Sequence, residues 1–142
     1  MARVAYHPEA FQQQPTGKLS RRVENKSYLD WIRELPCIVT GVFGVDAAHI
    51  SFPDPKYGKL GRGKSAKESD RWAIPLSPEE HRRQHGMNEQ AYWRDVGIDP
   101  CVVAMALYGV FTANKGDVEL ALLVIRNIER RPVRALLPEE KL

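Results

Sequence analysis

The chain has 142 residues, of which 43% are hydrophobic and 27% are charged, with a formal net charge of +3 at pH 7. This length favours one domain with a hydrophobic core and is too short for two comfortable domains. No apolar run of about 18 residues is present to span a bilayer, and no signal-peptide pattern is found. We therefore expect a cytoplasmic protein whose two cysteines, Cys37 and Cys101, are reduced rather than joined in a disulfide. The small positive charge permits nucleic-acid binding without requiring it.

The first third of the chain is predicted to contain an arm, a helix and a hairpin. Residues 1–22 combine prolines, three consecutive glutamines and several cations without an apolar period, which predicts a flexible basic arm. Apolar side chains then recur at helical spacing from Asn25 to Leu35, where Pro36 ends the predicted helix. Residues 37–40 and 45–51 flank a glycine-containing turn and are predicted to pair as a β-hairpin.

A long loop separates this hairpin from the next predicted elements. Residues 52–70 contain prolines, glycines and five cations but no periodicity, and so long a loop in a small domain is usually functional or disordered. Residues 72–76 are predicted to form a short strand. Ser77-Pro78-Glu79-Glu80 then has the cap hydroxyl, the first-turn proline and the acidic side chains that begin a helix.

The rest of the chain is predicted to be helical. Further helices should begin at Asn88, Asp99 and Asp117, and the last should continue to Arg131, before a proline. The segment Val102–Phe111 is almost wholly apolar and is expected to be largely buried. We therefore divide the chain into the arm (1–22), an α+β core (23–87), a C-terminal helical subdomain (88–131) and a tail (132–142).

Three of the four histidines lie in two short blocks. His81 and His85 are four residues apart on a predicted helix, so both imidazoles lie on one face and can share a metal ion. His49 lies on the preceding strand and is free to act as a base, since imidazole titrates near neutral pH. Alone, an i, i+4 histidine pair on a surface helix is most often two solvated side chains. The order strand, histidine, loop, strand and helix favours a ββα-metal nuclease site.

Cations around these histidines are candidates for phosphate contacts. Charged side chains among glycines can follow a polyanionic backbone closely, with salt-dependent and largely sequence-independent affinity. An ordinary solvated surface is an equally good interpretation of the loop taken alone. The predicted nucleic-acid-binding residues are Lys56, Lys59, Arg62 and Lys64 of the loop and Arg82 of the helix.

These blocks together resemble phage and prophage proteins of the His-Asn-His (HNH) type that are similar to the RecA-dependent, recombination-enhancing nucleases. The resemblance runs from Tyr28 to about Phe111, and its order is more specific than any single block. It implies a ββα-metal core, metal-dependent DNA cleavage, His49 as the general base, His81 and His85 as metal ligands, and Asp70 near the residue that positions the base. The matching blocks are Tyr28-Leu29-x-x-Ile32-Arg33-x-Leu35-Pro36-Cys37, Ala47-Ala48-His49, Tyr57-Gly58-x-x-Gly61-Arg62-Gly63-Lys64, Asp70-Arg71-x-Ala73-x-Pro75-Leu76 and His81-x-x-Gln84-His85-x-x-Asn88-Glu89-x-x-Tyr92-Trp93.

The chain departs from this resemblance at two places. Many relatives hold a structural zinc with four cysteine or histidine ligands, but the corresponding positions here are Cys37, Thr40, Ser77 and Glu80, so we expect no structural zinc. Ala48 stands where several relatives place a further metal ligand beside the base. Asp46 is the nearby carboxylate. It is three residues from His49 and is expected to point to the opposite strand face unless the strand bulges, which makes it a weaker ligand candidate.

The sequence thus predicts a divalent-metal-dependent DNA endonuclease of phage recombination or DNA metabolism. The expected ion is Mg²⁺ or Mn²⁺, with Zn²⁺ as an alternative at the histidine pair, and the expected partners are DNA and a recombinase such as RecA. Because Ala48 and the lost zinc positions weaken the metal site, a second hypothesis is a catalytically weak or inactive DNA-binding accessory protein with the same fold. A third is an adaptor that oligomerises through Val102–Phe111. The sequence does not predict the oligomeric state.

Overall fold

The structure, a computed structural model, describes residues 22–61 and 67–131. Within these residues the predicted α+β class is confirmed, because helices and a small sheet form one hydrophobic cluster. Most of the predicted arm, the predicted tail, and the loop cations Arg62 and Lys64 lie outside the described residues. In chain order the elements are α1 (Lys26–Ile32), β1 (Asp46–His49), β2 (Ala73–Leu76), α2 (Pro78–Gly86), α3 (Glu89–Val96), α4 (Pro100–Ala113) and α5 (Val118–Arg126), with 3-10 turns at Pro55–Tyr57 and Asp70–Trp72.

Side-chain caps begin the helices at the predicted residues. The capping side chains of α2 to α5 each accept a hydrogen bond from a backbone N–H of the first turn; they belong to Ser77, Asn88, Asp99 and Asp117. Such a cap contributes about 1 kcal/mol and needs only neighbouring residues. Helix ends differ more from prediction: α1 ends at Ile32 rather than Leu35, and α5 at Arg126 rather than Arg131. At the first of these ends the Leu35 N–H bonds to the Ile32 carbonyl (3.0 Å), a tighter turn than an α-helix has.

The two strands pair across the long loop. β1 and β2 are antiparallel, with Asp46 opposite Leu76 and His49 opposite Ala73. The predicted strand at 72–76 is confirmed as β2, and β1 lies within the predicted segment 45–51. The predicted hairpin is wrong, because the partner of β1 is β2 and not residues 37–40.

Residues 37–44 form turns instead of a strand. The Cys37 carbonyl accepts a hydrogen bond from the Gly41 N–H (2.8 Å), which closes the segment on itself. Gly41 and Gly44 have φ angles of +80° and +87°, a left-handed conformation that glycine adopts without a steric penalty and that interrupts an extended strand. The Ile38 N–H donates to a carbonyl of β2 (3.1 Å), so this segment lies beside the sheet without extending it.

Helix α1 covers the sheet through Tyr28. This side chain is fully buried, and its hydroxyl donates to the Ala73 carbonyl of β2 (3.1 Å). Tyr108 and Phe111 of α4 meet the Tyr28 ring edge-on, with ring centroids 4.9 and 5.3 Å away. Buried residues of the predicted α+β core and of the predicted helical subdomain therefore belong to the same hydrophobic cluster.

Helix α4 is less buried than its apolar sequence predicts. Val103, Ala104 and Leu107 are buried, but Val102 and Met105 are 45% and 37% exposed. The prediction of a largely buried helix therefore holds for one face of α4. Among the described residues no single helix is long and apolar enough to cross a membrane, although α3 and α4 together pass that test despite an 82° bend between them.

A buried ion pair closes the base of the long loop. Lys59 Nζ lies 2.8 Å from Glu68 Oε1, and the two side chains are 1% and 8% exposed. Two backbone hydrogen bonds also join Lys59 to Asp54: the Asp54 N–H donates to the Lys59 carbonyl (2.9 Å), and the Lys59 N–H donates to the Asp54 carbonyl (3.2 Å). Lys59 was predicted to contact DNA, and this burial contradicts the prediction, because a solvent-excluded ammonium does not reach a phosphate backbone. Lys56, by contrast, has a side chain that is 67% exposed.

Replacing Lys59 with methionine should therefore destabilise the fold strongly. The substitution keeps the apolar stem but removes the ammonium from a buried carboxylate, and breaking a buried pair in this way costs about 3–5 kcal/mol. The matched control is Lys56→Met in the same loop, which should change the free energy of unfolding by less than about 0.5 kcal/mol. Urea denaturation of the two variants measures the difference. Equal stabilities would show that the Lys59–Glu68 pair does not hold the loop.

Candidate active site

His49 and Asp70 form the first half of the candidate site. Strand β1 ends at His49, and the 3-10 turn before β2 begins at Asp70. His49 Nε2 lies 2.9 Å from Asp70 Oδ1, with the two side chains 32% and 6% exposed. Since an ionised carboxylate only accepts hydrogen bonds, the imidazole carries its hydrogen on Nε2 and leaves the Nδ1 lone pair free. The structure thus brings Asp70, the residue predicted to orient the base, into contact with His49.

Several donors hold the Asp70 carboxylate. Its Oδ2 accepts the backbone N–H of Asn25 (2.8 Å), and the guanidinium of Arg22 lies 3.8 Å from Oδ1. Burial by itself would raise the pKa of Asp70. The hydrogen bonds from Asn25 and His49, with the charges of His49 and Arg22, outweigh burial and hold the pKa below its ordinary value. The carboxylate therefore stays ionised as the partner of the imidazole.

His81, His85 and Asp46 form the second half of the site. His81 Nδ1 lies 2.9 Å from Asp46 Oδ2, and His81 Nε2 lies 3.1 Å from His85 Nε2. The helix cap at Ser77 places the two histidines on one face of α2, and the β1–β2 register brings Asp46 beside the start of that helix. An open cavity of about 440 Å³ is lined by Asp46, Pro78, His81, Arg82, His85 and Gly86.

Asp46 and His49 have different partners because they lie on opposite faces of β1. Asp46 contacts His81 of α2, whereas His49 contacts Asp70 of the turn before β2. This agrees with the prediction that Asp46 points away from His49. The Asp46 carboxylate meets His81 at Nδ1, the ring nitrogen that does not face His85. Asp46 is therefore placed to orient an imidazole, a role that the sequence analysis did not assign to it.

Three of the four positions predicted to lack a zinc, Cys37, Thr40 and Ser77, lie together. Burial would raise the pKa of the Cys37 thiol, but hydrogen bonds from the Thr40 hydroxyl and from the N–H groups of Ser77, Thr40 and Val39 hold it below its ordinary value. The fourth position, Glu80, instead accepts a hydrogen bond from the Tyr92 hydroxyl (2.7 Å). Hydrogen bonds thus join the turn at 37–40 to the start of α2.

A further group with metal-ligand chemistry lies away from the histidines. Asp54, Asp99 and Cys101 are the one group of three such side chains found within the described residues. One oxygen of each carboxylate already has a partner, because Lys56 Nζ lies 3.5 Å from Asp54 Oδ1 and the Tyr57 hydroxyl donates to Asp99 Oδ2 (2.9 Å). Burial, followed by the charges of the two carboxylates, raises the pKa of the Cys101 thiol to about 12, which disfavours the thiolate. A larger cavity, of about 840 Å³, lies between this loop and the C-terminal helices.

The sequence analysis gave no role to Gln84 and Glu89. Gln84 is 1% exposed, and Glu89 accepts hydrogen bonds from Gln84 and from Ser51. Both residues occur in the matching block around His81. The helix sequence there is mostly polar, however, and nothing in it predicts that these two polar side chains are removed from solvent. Gln84 donates to the distant His49 carbonyl, and Glu89 accepts from the distant Ser51, so only the folded chain shows these connections.

The described fold defines an α+β protein with two carboxylate–imidazole pairs on neighbouring elements. The chain belongs to the DUF968 family, described as a protein family of unknown function, whose model matches residues 5–109. No curated protein and no solved structure matches it.

The low pKa of Asp70 predicts a measurable pH dependence of stability. Because its pKa is lower in the folded than in the unfolded chain, the carboxylate stabilises the fold fully above the ordinary value of about 3.9, and this contribution is lost as the pH falls through the folded pKa. Asp70→Asn should lower the free energy of unfolding at pH 7 by about 2 kcal/mol and flatten its decline in acid.

Urea denaturation between pH 2 and 7 tests this expectation. The control is Asp30→Asn, since Asp30 has a 55% exposed side chain whose surface ion pairs contribute less than about 1 kcal/mol. Identical acid profiles for Asp70→Asn and the wild-type protein would rule out the proposed electrostatic role.

Proposed function

We propose that this protein is a divalent-metal-dependent DNA endonuclease with an HNH-like ββα-metal core. The observation that carries the proposal is the pair of convergent imidazoles on α2, directly after an antiparallel strand pair whose first strand ends at a carboxylate-held histidine. Each of these elements occupies the order that the resemblance predicts. The proposal gives this member of DUF968 a chemical activity that experiments can examine.

The donor set of the second half of the site fits a divalent ion. Asp46 accepts the hydrogen of His81 Nδ1, so His81 Nε2 carries a lone pair, directed towards His85 Nε2. A carboxylate in the position of Asp46 is the usual support of a metal-binding histidine. The Nε2 atoms of His81 and His85 are 3.1 Å apart. This distance is less than the summed length of two metal–nitrogen bonds of about 2.0–2.1 Å each, so both imidazoles could hold one ion. We propose Mg²⁺ or Mn²⁺, with Zn²⁺ as the alternative for imidazole ligands. A bound ion would polarise the scissile phosphate and stabilise the leaving oxygen.

His49 is proposed to take the proton from the attacking water. Asp70 fixes the tautomer by accepting the Nε2 hydrogen, so the basic lone pair is the one on Nδ1. The same carboxylate stabilises the imidazolium that forms when that proton arrives. Asn25 and Arg22 keep the Asp70 charge in place throughout. The His49–Asp70 pair therefore supplies both the base and its orientation.

DNA is the proposed substrate because the exposed cation Arg82 adjoins the site and further cations belong to the long loop. Arg82 lines the cavity beside His81 and His85, and Lys56 is exposed on the long loop. We keep Arg62 and Lys64, which lie outside the described residues, as proposed phosphate contacts and remove Lys59 because it is buried. A recombinase such as RecA as partner and a role in phage recombination follow from the resemblance and belong to the same proposal.

A non-catalytic DNA-binding accessory protein is the second candidate function. Catalytic metal sites usually have three protein ligands, yet within the part of the chain that the structure describes no third metal-ligating side chain groups with His81 and His85. Two imidazoles and water ligands give a weaker site. The accessory function requires the fold and the cations but no bound metal, so metal affinity separates the two candidates.

Isothermal titration with Mn²⁺ should therefore detect one site in the wild-type protein and none in His81→Ala or His85→Ala. Asp46→Asn should weaken the affinity about 10- to 100-fold without abolishing it, because it removes the support of a ligand and not a ligand itself. His7→Ala is the control for loss of a histidine, since His7 lies outside the described residues and has no proposed role. A wild-type protein that does not bind Mn²⁺ would favour the accessory function.

Nicking assays on single-stranded, duplex and branched DNA examine the base. His49→Ala should reduce the rate of Mn²⁺-dependent nicking at least about 100-fold, because general-base catalysis contributes about 10²- to 10⁴-fold. Its affinities for DNA and Mn²⁺ should stay within about twofold of wild type, and His7→Ala should nick normally. Nicking by His49→Ala at the wild-type rate would falsify the proposed mechanism.

A further inference from the structure

We propose that Gln84 and Glu89 are positioning residues that set the distance between His49 and the His81–His85 pair. This inference rests on the proposed function, since it concerns the geometry of the same site. Its test nevertheless includes a measurement on the metal-free protein that requires no DNA cleavage.

The Glu89 carboxylate collects hydrogen bonds from three separate parts of the fold. Oε1 accepts the Ser51 N–H (3.1 Å) and the Ser51 hydroxyl, both just beyond the end of β1. Oε2 accepts Gln84 Nε2 of α2 (2.8 Å) and the indole N–H of Trp93 of α3 (3.1 Å). Two oxygens with two donors each use the full capacity of an ionised carboxylate. A glutamine at this position has one acceptor oxygen and cannot reproduce these bonds.

The amide of Gln84 extends this network to the base. Its Nε2 also donates to the backbone carbonyl of His49 (3.3 Å), at the last residue of β1. On α2, Gln84 lies in the same helical turn as His81 and His85. One buried amide therefore joins the backbone of the proposed base to the helix that carries the proposed metal ligands.

Packing alone does not account for an amide here. Gln84 is 1% exposed, and its Oε1 atom has no hydrogen-bond partner among the described residues. A buried acceptor without a partner is unfavourable, and leucine, which has a similar volume, would avoid it. Glutamine, unlike leucine, donates two N–H hydrogen bonds, one to the His49 carbonyl and one to the Glu89 carboxylate.

Positioning matters because the two halves of the site lie on different elements. Asp70 orients the His49 ring, and Asp46 orients the His81 ring, but neither contact joins the His49 end of β1 to the middle of α2. Gln84 makes that connection. Catalytic rates are sensitive to displacements of about 1 Å between reacting groups, so a small shift of α2 along β1 should lower kcat much more than it weakens binding.

The test compares Gln84→Leu with Gln90→Leu, the same substitution at an exposed position on α3. Glu89→Gln is a second, isosteric variant in the network, and Leu107→Ala is a core variant that lowers stability without touching it. The first measurement is NMR of the metal-free proteins, using the ring ¹⁵N shifts of His49 and the NOEs between residues 46–49 and 81–85. The second is the kcat and KM of Mn²⁺-dependent nicking.

We expect Gln84→Leu and Glu89→Gln to change the His49 shifts and the strand–helix NOEs, and to lower kcat at least tenfold with KM within twofold. Gln90→Leu and Leu107→Ala should leave the NOEs and kcat within twofold of wild type. Unchanged NOEs in Gln84→Leu, or equal losses of kcat in Leu107→Ala, would overturn the proposal. Changed NOEs in a protein that never nicks DNA would support the positioning role and reject the nuclease function.

Discussion

The antiparallel pairing of β1 with β2 is the constraint on which the rest of the structure depends. Two strands of four residues are marginal by themselves, and they persist here because α1, α2 and α4 contact them. The Tyr28 hydroxyl bonds to β2 from within the core, and the Ile38 N–H bonds to it from the neighbouring turn. The pairing ends directly before Ser77, so the strands determine where in the fold the locally capped helix α2 lies.

Both halves of the candidate site contain a carboxylate–imidazole contact, but the carboxylate meets a different ring nitrogen in each half. Each has a carboxylate oxygen 2.9 Å from an imidazole nitrogen. Asp70 contacts Nε2 of His49, whereas Asp46 contacts Nδ1 of His81, whose Nε2 faces His85 Nε2 at 3.1 Å. The alternation of side chains along β1 directs Asp46 and His49 to these different partners. In both halves, therefore, a carboxylate contact fixes which nitrogen of the imidazole carries the hydrogen.

Buried and half-buried carboxylates join the segments of this small protein. Asp70 joins the 3-10 turn to the start of α1, Glu68 joins the two ends of the long loop, and Glu89 joins the end of β1 to α2 and α3. Each accepts hydrogen bonds from another segment of the chain, which compensates for the loss of water around its charge. Directional contacts of this kind hold side chains in one geometry more strictly than apolar packing does, and a catalytic site requires such geometry.

The sequence by itself determined the features that depend on neighbouring residues: the capped helix starts at Ser77, Asn88, Asp99 and Asp117, and the i, i+4 spacing of His81 and His85. Only the tertiary structure decided that β1 pairs with β2, that Asp46 supports His81, that Lys59 is buried with Glu68, and that Gln84 joins α2 to His49. Caps and helical spacing arise from contacts within one turn, so local composition specifies them. Strand partners and buried polar contacts arise between distant residues, where the total packing of the chain selects one arrangement from several that local patterns allow.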